Sequence, residues 1–205
     1  MDWKVRFIDY PGQYQKIRDD MLAIIDATLS AGDVMLRQQL RDFEARLAAF
    51  CETDHAVGTG NCTDALQLCL LAAGVGPGDE VILPGYTYIA TAAAIIATGA
   101  VPVIAEVDES LGLDPADLER KITPYTKAVV IVHMRGVPAR IDELVAIARK
   151  HDLKIVEDCC QCVGGESKGK QVGTFGDVGA WSLNYYKTIS SGEGGMVFTN
   201  DRDIY

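Results

Sequence analysis

The chain has 205 residues, 48% of them apolar and 23% charged, which is the balance of a folded domain with a real core and excludes a disordered or fibrous polymer. Its formal net charge is −10, with no lysine or arginine run anywhere, so nothing is present to neutralise a nucleic-acid backbone and no nucleic-acid partner is expected.

Met1-Asp2-Trp3-Lys4 lacks the basic and apolar regions of a signal peptide. The most apolar stretches, 92–97 and 128–132, are too short to cross a bilayer, so the expected place of work is the cytoplasm, away from the membrane. The N-terminal part reads as two helices. Ile17, Met21, Leu22, Ile24, Ile25 and Leu29 follow a 3.6-residue period up to Gly32, and Leu36, Leu40, Phe43, Leu47 and Phe50 repeat it. Residues 1–35 are expected to form a helical arm and 36–205 a single large domain.

After Phe50 the texture alternates. His55-Ala56-Val57 is a short strand, and a helix follows from Thr63 to Ala73, closed by Gly74. Pro77-Gly78-Asp79 turns into the strand Glu80–Leu83, then comes a helix from Tyr88 to Thr98 and a strand from Val101 to Ala105. Asp114 caps a short helix with Pro115 at its first position. Ala128–Val132 is continuously apolar, as suits a strand covered on both faces. An amphipathic helix from Ile141 to His151 leads to the strand ending at Glu157-Asp158, and Gly195–Thr199 is a last strand. The alternation predicts an α/β fold: three layers, α/β/α, around a mostly parallel mixed sheet. Ligands in such sheets bind beyond the carboxyl ends of the strands, where Thr63, Tyr86-Thr87-Tyr88, His133 and Asp158 all fall.

Three features carry chemistry. Gly58-Thr59-Gly60-Asn61-Cys62-Thr63 joins a strand to a helix start, whose N–H groups and dipole suit an anion; the third glycine of a dinucleotide loop is missing. Asp158 can cap its loop, or serve as the carboxylate that a pyridine nitrogen needs to stay protonated. Lys187 lies on a tight polar and aromatic connection, Trp181 to Gly195, rather than on a solvated helix face. A lysine becomes a Schiff-base nucleophile when desolvation and nearby charge lower its pKa. Ser182 can offer a hydroxyl to phosphate, Tyr88 can stack on a flat ring or face the core, and the glycines 192, 194 and 195 let backbone pack closely. An amine, an acid and a phosphate-shaped turn together describe a pyridoxal phosphate site.

The six cysteines, Cys51, Cys62, Cys69, Cys159, Cys160 and Cys162, do not suit a disulfide scaffold, and reduced thiols are expected. Cys159-Cys160-Gln161-Cys162 lacks zinc spacing and a second ligand pair, so no metal is expected.

Phe43-Glu44, Asn61–Leu66, Gly76–Val81, Tyr86-Thr87-Tyr88, Glu157-Asp158 with Gln161, and Ser182–Gly195 stand in the order found in the DegT/DnrJ/EryC1/StrS sugar aminotransferases, which the chain resembles from about Leu36 onward. The resemblance implies the large domain of a fold-type-I pyridoxal 5′-phosphate enzyme, with the smaller C-terminal domain absent from this chain. Lys187 then corresponds to the internal-aldimine lysine and proton shuttle, and Asp158 to the partner of the pyridine nitrogen. Gln161 corresponds to the group near the ring oxygen, Ser182 with the backbone of Cys62 and Thr63 to the phosphate cradle, and Tyr88 to the stacking aromatic. The implied reaction moves an amino group from glutamate or glutamine to a keto sugar, nucleotide-linked or related, in sugar biosynthesis such as that of cell-surface polysaccharide, within a homodimer. Two alternatives stand beside it. One is a sugar dehydratase of the same family, whose members typically replace the lysine with histidine; the other is a non-catalytic ligand-binding domain that keeps the fold. Cys62 departs from the usual glycine, and Cys159 and Cys160 stand at positions often alanine. Arg135 stands where many relatives carry an aromatic, and is expected either to contact an anionic group of the substrate or to lie plainly on the surface.

Overall fold

The computed structural model describes residues 8–32 and 35–205. The chain divides into two compact units, residues up to 41 and residues 42–205. In the first, helix α1 (Tyr10–Ser30) starts at Asp9, whose side chain accepts the Gly12 N–H, and carries Pro11 in its first turn. None of its residues is buried: the apolar stripe through Ile17, Met21, Leu22, Ile24, Ile25 and Leu29 is exposed.

The second unit holds most of helix α2 (Gln38–Cys51) and then strand β1 (His55–Thr59), helix α3 (Cys62–Ala72), β2 (Glu80–Pro84), α4 (Ile89–Ala97), β3 (Val101–Ala105), α5 (Pro115–Lys121), β4 (Thr126–Val132), α6 (Ile141–Lys150) and β5 (Lys154–Asp158). A small hairpin of β6 (Glu166–Ser167) and β7 (Lys170–Gln171) precedes β8 (Val178–Ser182) and β9 (Gly195–Thr199). Among the described residues the main sheet has seven strands in the order β1-β9-β8-β5-β4-β2-β3. β9 runs antiparallel to both its neighbours and the other contacts are parallel, so the sheet is mixed but mostly parallel, as expected.

Strand periodicity assigns the layers. Val81 and Leu83, Val130 and Val132, and Val156 face one side, where they pack on Leu66, Leu70 and Ile95 of α3 and α4. Ile82, Val129, Ile131 and Ile155 face the other side, against Leu118 of α5 and Ile141 and Leu144 of α6. The continuous apolar run in β4 is thus one strand serving two cores. A third cluster packs Leu47 and Cys51 of α2 on Trp181, Met196 and Phe198. Each fully buried leucine, isoleucine or phenylalanine here stabilises the fold by about 1.5–3 kcal/mol.

Three features were not expected. No strand was expected before the lysine connection, yet all five residues of β8 are buried in the sheet. The β6–β7 hairpin is too short to leave a periodic signal. The third concerns the cysteines. Cys62 and Cys160 are joined by a disulfide, with Cα atoms 7.0 Å apart, whereas Cys51, Cys69, Cys159 and Cys162 are free and buried. The expectation of reduced thiols therefore fails for one pair. Sequence spacing could not place residues 98 positions apart side by side.

Candidate active site

β1 pairs antiparallel with β9, and β9 antiparallel with β8, so the carboxyl ends of β1 and β8 share a rim with those of β5 and β4. β9 starts at that rim, with Gly195 opposite both Thr59 and Ser182. A cavity of about 850 Å³ opens there, lined by Cys62, Thr63, Thr87, Tyr88, Asp158, Gln161, Ser182 and Lys187 among others. This is the size range of small-ligand sites.

At one end of the cavity α3 begins. Asn61 caps it by accepting the Asp64 N–H at 2.9 Å, and donates to the Asp64 carboxylate at 2.8 Å. The N–H groups of Cys62 and Thr63 stand in the same first turn, at the positive end of the helix dipole. The turn before them is pinned twice. Glu44 of α2 accepts the Gly58 N–H at 2.8 Å, and the Thr59 hydroxyl donates to the Asn61 carbonyl at 2.9 Å. Gly195 presses on the same turn, where a Cβ would run into the Asn61 carbonyl and backbone carbon. Only glycine lets β9 start there. Ser182, buried at the end of β8, accepts the Asn184 N–H at 3.3 Å, which leaves its own proton to donate into the cavity.

The acid lies on the floor. Asp158 is 5% exposed and faces the α3–α4 side. One carboxylate oxygen accepts the Cys160 N–H at 3.1 Å, the other the Thr91 hydroxyl at 2.9 Å. Thr91 has one proton and spends it on Asp158, so Thr87 at 2.7 Å is the donor to Thr91. Burial pushes the Asp158 pKa up; the two hydrogen bonds and the charges of Lys187 and His133 oppose this. Lys187 is half-buried, and desolvation lowers its pKa against the charge of Asp158, which raises it. The two groups therefore feel each other across the cavity.

The lysine loop is rigidly braced. Leu183 exchanges backbone hydrogen bonds with Gly194 (2.9 Å) and Ser191 (3.0 Å), and the Lys187 N–H donates to the Asn184 carbonyl at 2.9 Å. Asn184 also donates its side-chain amide to Glu193. Gln161 is oriented by the Arg135 backbone N–H, which donates to its Oε1 at 3.2 Å and leaves the amide NH₂ free to donate.

Two residues named from sequence lie apart from this cluster. The Arg135 side chain is exposed and does not line the cavity; its Nε donates to the Tyr86 hydroxyl at 2.7 Å and its guanidinium lies over that ring. His133 is fully buried on the opposite face of the sheet, where its Nδ1 accepts the Ala139 N–H at 3.1 Å and its Nε2 donates to Glu157 at 3.1 Å. Glu157 also accepts the N–H groups of Gly173, Phe175 and Gly176 at 2.6–2.7 Å. Tyr88, the residue before α4, lines the cavity and is 67% exposed. Sequence reasoning missed Thr91, which stands 67 positions from Asp158 and carries no motif. Asn61 lay in the named turn but without its capping role, which its place ahead of a helix and three residues before Asp64 could have shown.

Fold and site together define an α/β protein that presents an amine, a buried acid and a helix N-terminus to one cavity. The model of the DegT/DnrJ/EryC1/StrS aminotransferase family matches residues 15–205, and the chain belongs to that family. It is 44% identical over 203 residues to the dTDP-3-amino-3,4,6-trideoxy-alpha-D-glucose transaminase of Streptomyces venezuelae, covering 98% of this chain and 54% of that protein. The solved structure of S. venezuelae DesV in complex with a ketimine intermediate matches with a TM-score of 0.93 at 44% identity, again over 98% of this chain and 54% of that one. A Bacillus subtilis structure, NtdA with bound cofactor PMP, matches with a TM-score of 0.87 at 31% identity, over 92% and 43% of the two chains. The chain spans about half the length of the curated relatives it matches.

Proposed function

We propose that the protein is a pyridoxal phosphate-dependent aminotransferase that moves an amino group from glutamate or glutamine to a keto sugar, with residues 36–205 as the cofactor-binding domain, residues 1–35 as an arm, and a homodimer as the working unit. The observation that carries this reading is Lys187 and Asp158 lining one cavity, each within the field of the other. The Streptomyces venezuelae relative, a transaminase named for a dTDP-linked amino sugar, supports the substrate class.

The donor set fits the cofactor. Burial leaves Asp158 needing a proton-bearing partner, and a pyridine nitrogen at its free side meets that need. The N–H groups of Cys62 and Thr63 with the Ser182 hydroxyl would hold the phosphate. The Gln161 NH₂ would donate to the ring oxygen, and Tyr88 would stack on the ring. Bound there, the cofactor supplies an electron sink for the carbon that gains or loses the amino group. Lys187 Nζ is the amine that would bind the cofactor's aldehyde carbon and, when free, would move a proton at the substrate carbon. Its lowered pKa keeps a larger share of the amine unprotonated near neutral pH than an exposed lysine would have. Asp158, fixed by Thr91 and the Cys160 N–H, would keep the ring nitrogen protonated. We assign Arg135, which lies outside the cavity lining and is bonded to Tyr86, to an anionic group of the sugar.

The test uses the full-length protein. Borohydride treatment with pyridoxal phosphate should fix a pyridoxyl adduct on the peptide containing Lys187, and a Lys187→Ala variant should show none and transfer no amino group from glutamate or glutamine. An adduct spread over surface lysines, or full transfer by the variant, would end this reading.

A further inference from the structure

Cys62 and Cys160 are set apart from the other four cysteines by where they lie. Both line the cavity, while Cys51, Cys69, Cys159 and Cys162 are buried away from it. Burial raises the thiols of those four, that of Cys51 to about 12, which keeps them protonated and unreactive. The sulfurs of Cys62 and Cys160 and a carboxylate oxygen of Asp158 all lie within 4.8 Å of one another. Their backbones belong to different parts of the site. Cys62 is the first residue of α3, in the helix turn that lines the cavity. Cys160 follows β5 and donates its N–H to Asp158. A bond between them ties the anion end of the cavity to the acid on its floor.

We propose that Cys62 and Cys160 form a reversible dithiol–disulfide site in the cavity wall, which exchanges with small disulfides of the glutathione class and is shielded when the cavity is filled. Cys160 is the more exposed of the pair, so its thiolate attacks first. One sulfur–sulfur bond of the small disulfide breaks, one thiol leaves, and a mixed disulfide forms on Cys160. The Cys62 thiolate then displaces the second small thiol and closes the bridge. In balance, two cysteine protons and two electrons pass to the small disulfide, which leaves as two thiols; two thiols of the same class reverse the step. Where filling the cavity also disfavours the bridge at equilibrium, the bridge weakens the ligand by the same factor. The shielding half rests on the cofactor reading above; the exchange half does not.

The test uses the full-length protein, freed of ligand, in buffers of rising oxidised-to-reduced glutathione ratio, alkylated with iodoacetamide and mapped as unreduced peptides. A linked Cys62–Cys160 peptide should grow with the ratio and vanish with excess reductant, while the other four cysteines react at least tenfold more slowly. Saturating pyridoxal phosphate should slow bridge formation by tenfold or more. Cys62→Ser should leave a lasting glutathione adduct on Cys160. Absence of the linked peptide at every ratio, or adducts accumulating on Cys160 in the unsubstituted protein, overturns the exchange. An unchanged bridging rate under saturating pyridoxal phosphate, in protein that still yields the Lys187 borohydride adduct, overturns the shielding. Loss of that adduct instead sinks the cofactor reading and leaves the peptide map to stand by itself.

Discussion

Replacing Glu157 with glutamine changes one oxygen to NH₂ at constant volume, and the structure fixes what that must cost. One carboxylate oxygen accepts the Phe175 and Gly176 N–H groups, the other the Gly173 N–H and the His133 ring. Placed on the first side, the new NH₂ faces two backbone donors. Placed on the second, it faces Gly173, and it can meet His133 only if the ring moves its proton to Nδ1, which takes the acceptor away from the Ala139 N–H. Either way, at least two N–H groups lose their acceptor in a site where Glu157 and His133 are both fully buried. Each such loss costs about 1–3 kcal/mol, so Glu157→Gln should destabilise the protein by about 2–6 kcal/mol. That is a large part of the roughly 5–15 kcal/mol that holds a domain folded. Equilibrium urea unfolding followed by tryptophan fluorescence reads it directly. With a slope of about 1–3 kcal/mol per molar, the midpoint should fall by on the order of 1 M or more. A midpoint within about 0.3 M of the unsubstituted protein, at unchanged slope, would refute the donor count.

Asp158→Asn separates stability from cofactor binding. Burial holds the Asp158 pKa above its unfolded value in the ligand-free protein, so the folded state binds the proton more tightly. Its contribution to stability is therefore full below about pH 4, the ordinary carboxylate value, and is lost as pH rises through the raised pKa. The asparagine variant should lack this slope and be at least as stable near neutral pH, while holding pyridoxal phosphate on the order of 100-fold more weakly, as expected when one partner of a buried charge pair is removed. Parallel pH–stability curves, or unchanged cofactor retention in equilibrium dialysis, would contradict it. Arg135→Ala keeps the backbone N–H that orients Gln161 and removes only the guanidinium, so the visible spectrum of the bound cofactor should stay the same while KM for an anionic keto sugar rises by about tenfold, the worth of one charge-assisted hydrogen bond. An unchanged KM would assign Arg135 to the surface alone.

Periodicity and turn chemistry by themselves determined the alternation of elements, the both-faces burial of β4, the placing of Thr63 and Asp158 after strand ends and that of Lys187 on a tight connection, because a helix or strand is written in neighbours a few residues apart. The same local rules located Asp114 and Pro115 at the start of α5. Gly195 was legible as a place of close packing, but the tertiary structure alone shows what it packs against: the Asn61 carbonyl, across the β9–β1 pair. Thr91 beneath Asp158, the four-donor cage around Glu157 and the Cys62–Cys160 bond also belong to the tertiary structure, since each joins residues between 16 and 98 positions apart. β8 escaped notice as a strand for a related reason. Its glycine, alanine and serine carry little β-preference, and it is extended because β5 and β9 hydrogen-bond it from both sides. Chain order brought the acid, the aromatics and the helix start to one rim; the amine's place in the same cavity, and the burial that shifts the proton affinities of acid and amine, were set by tertiary packing.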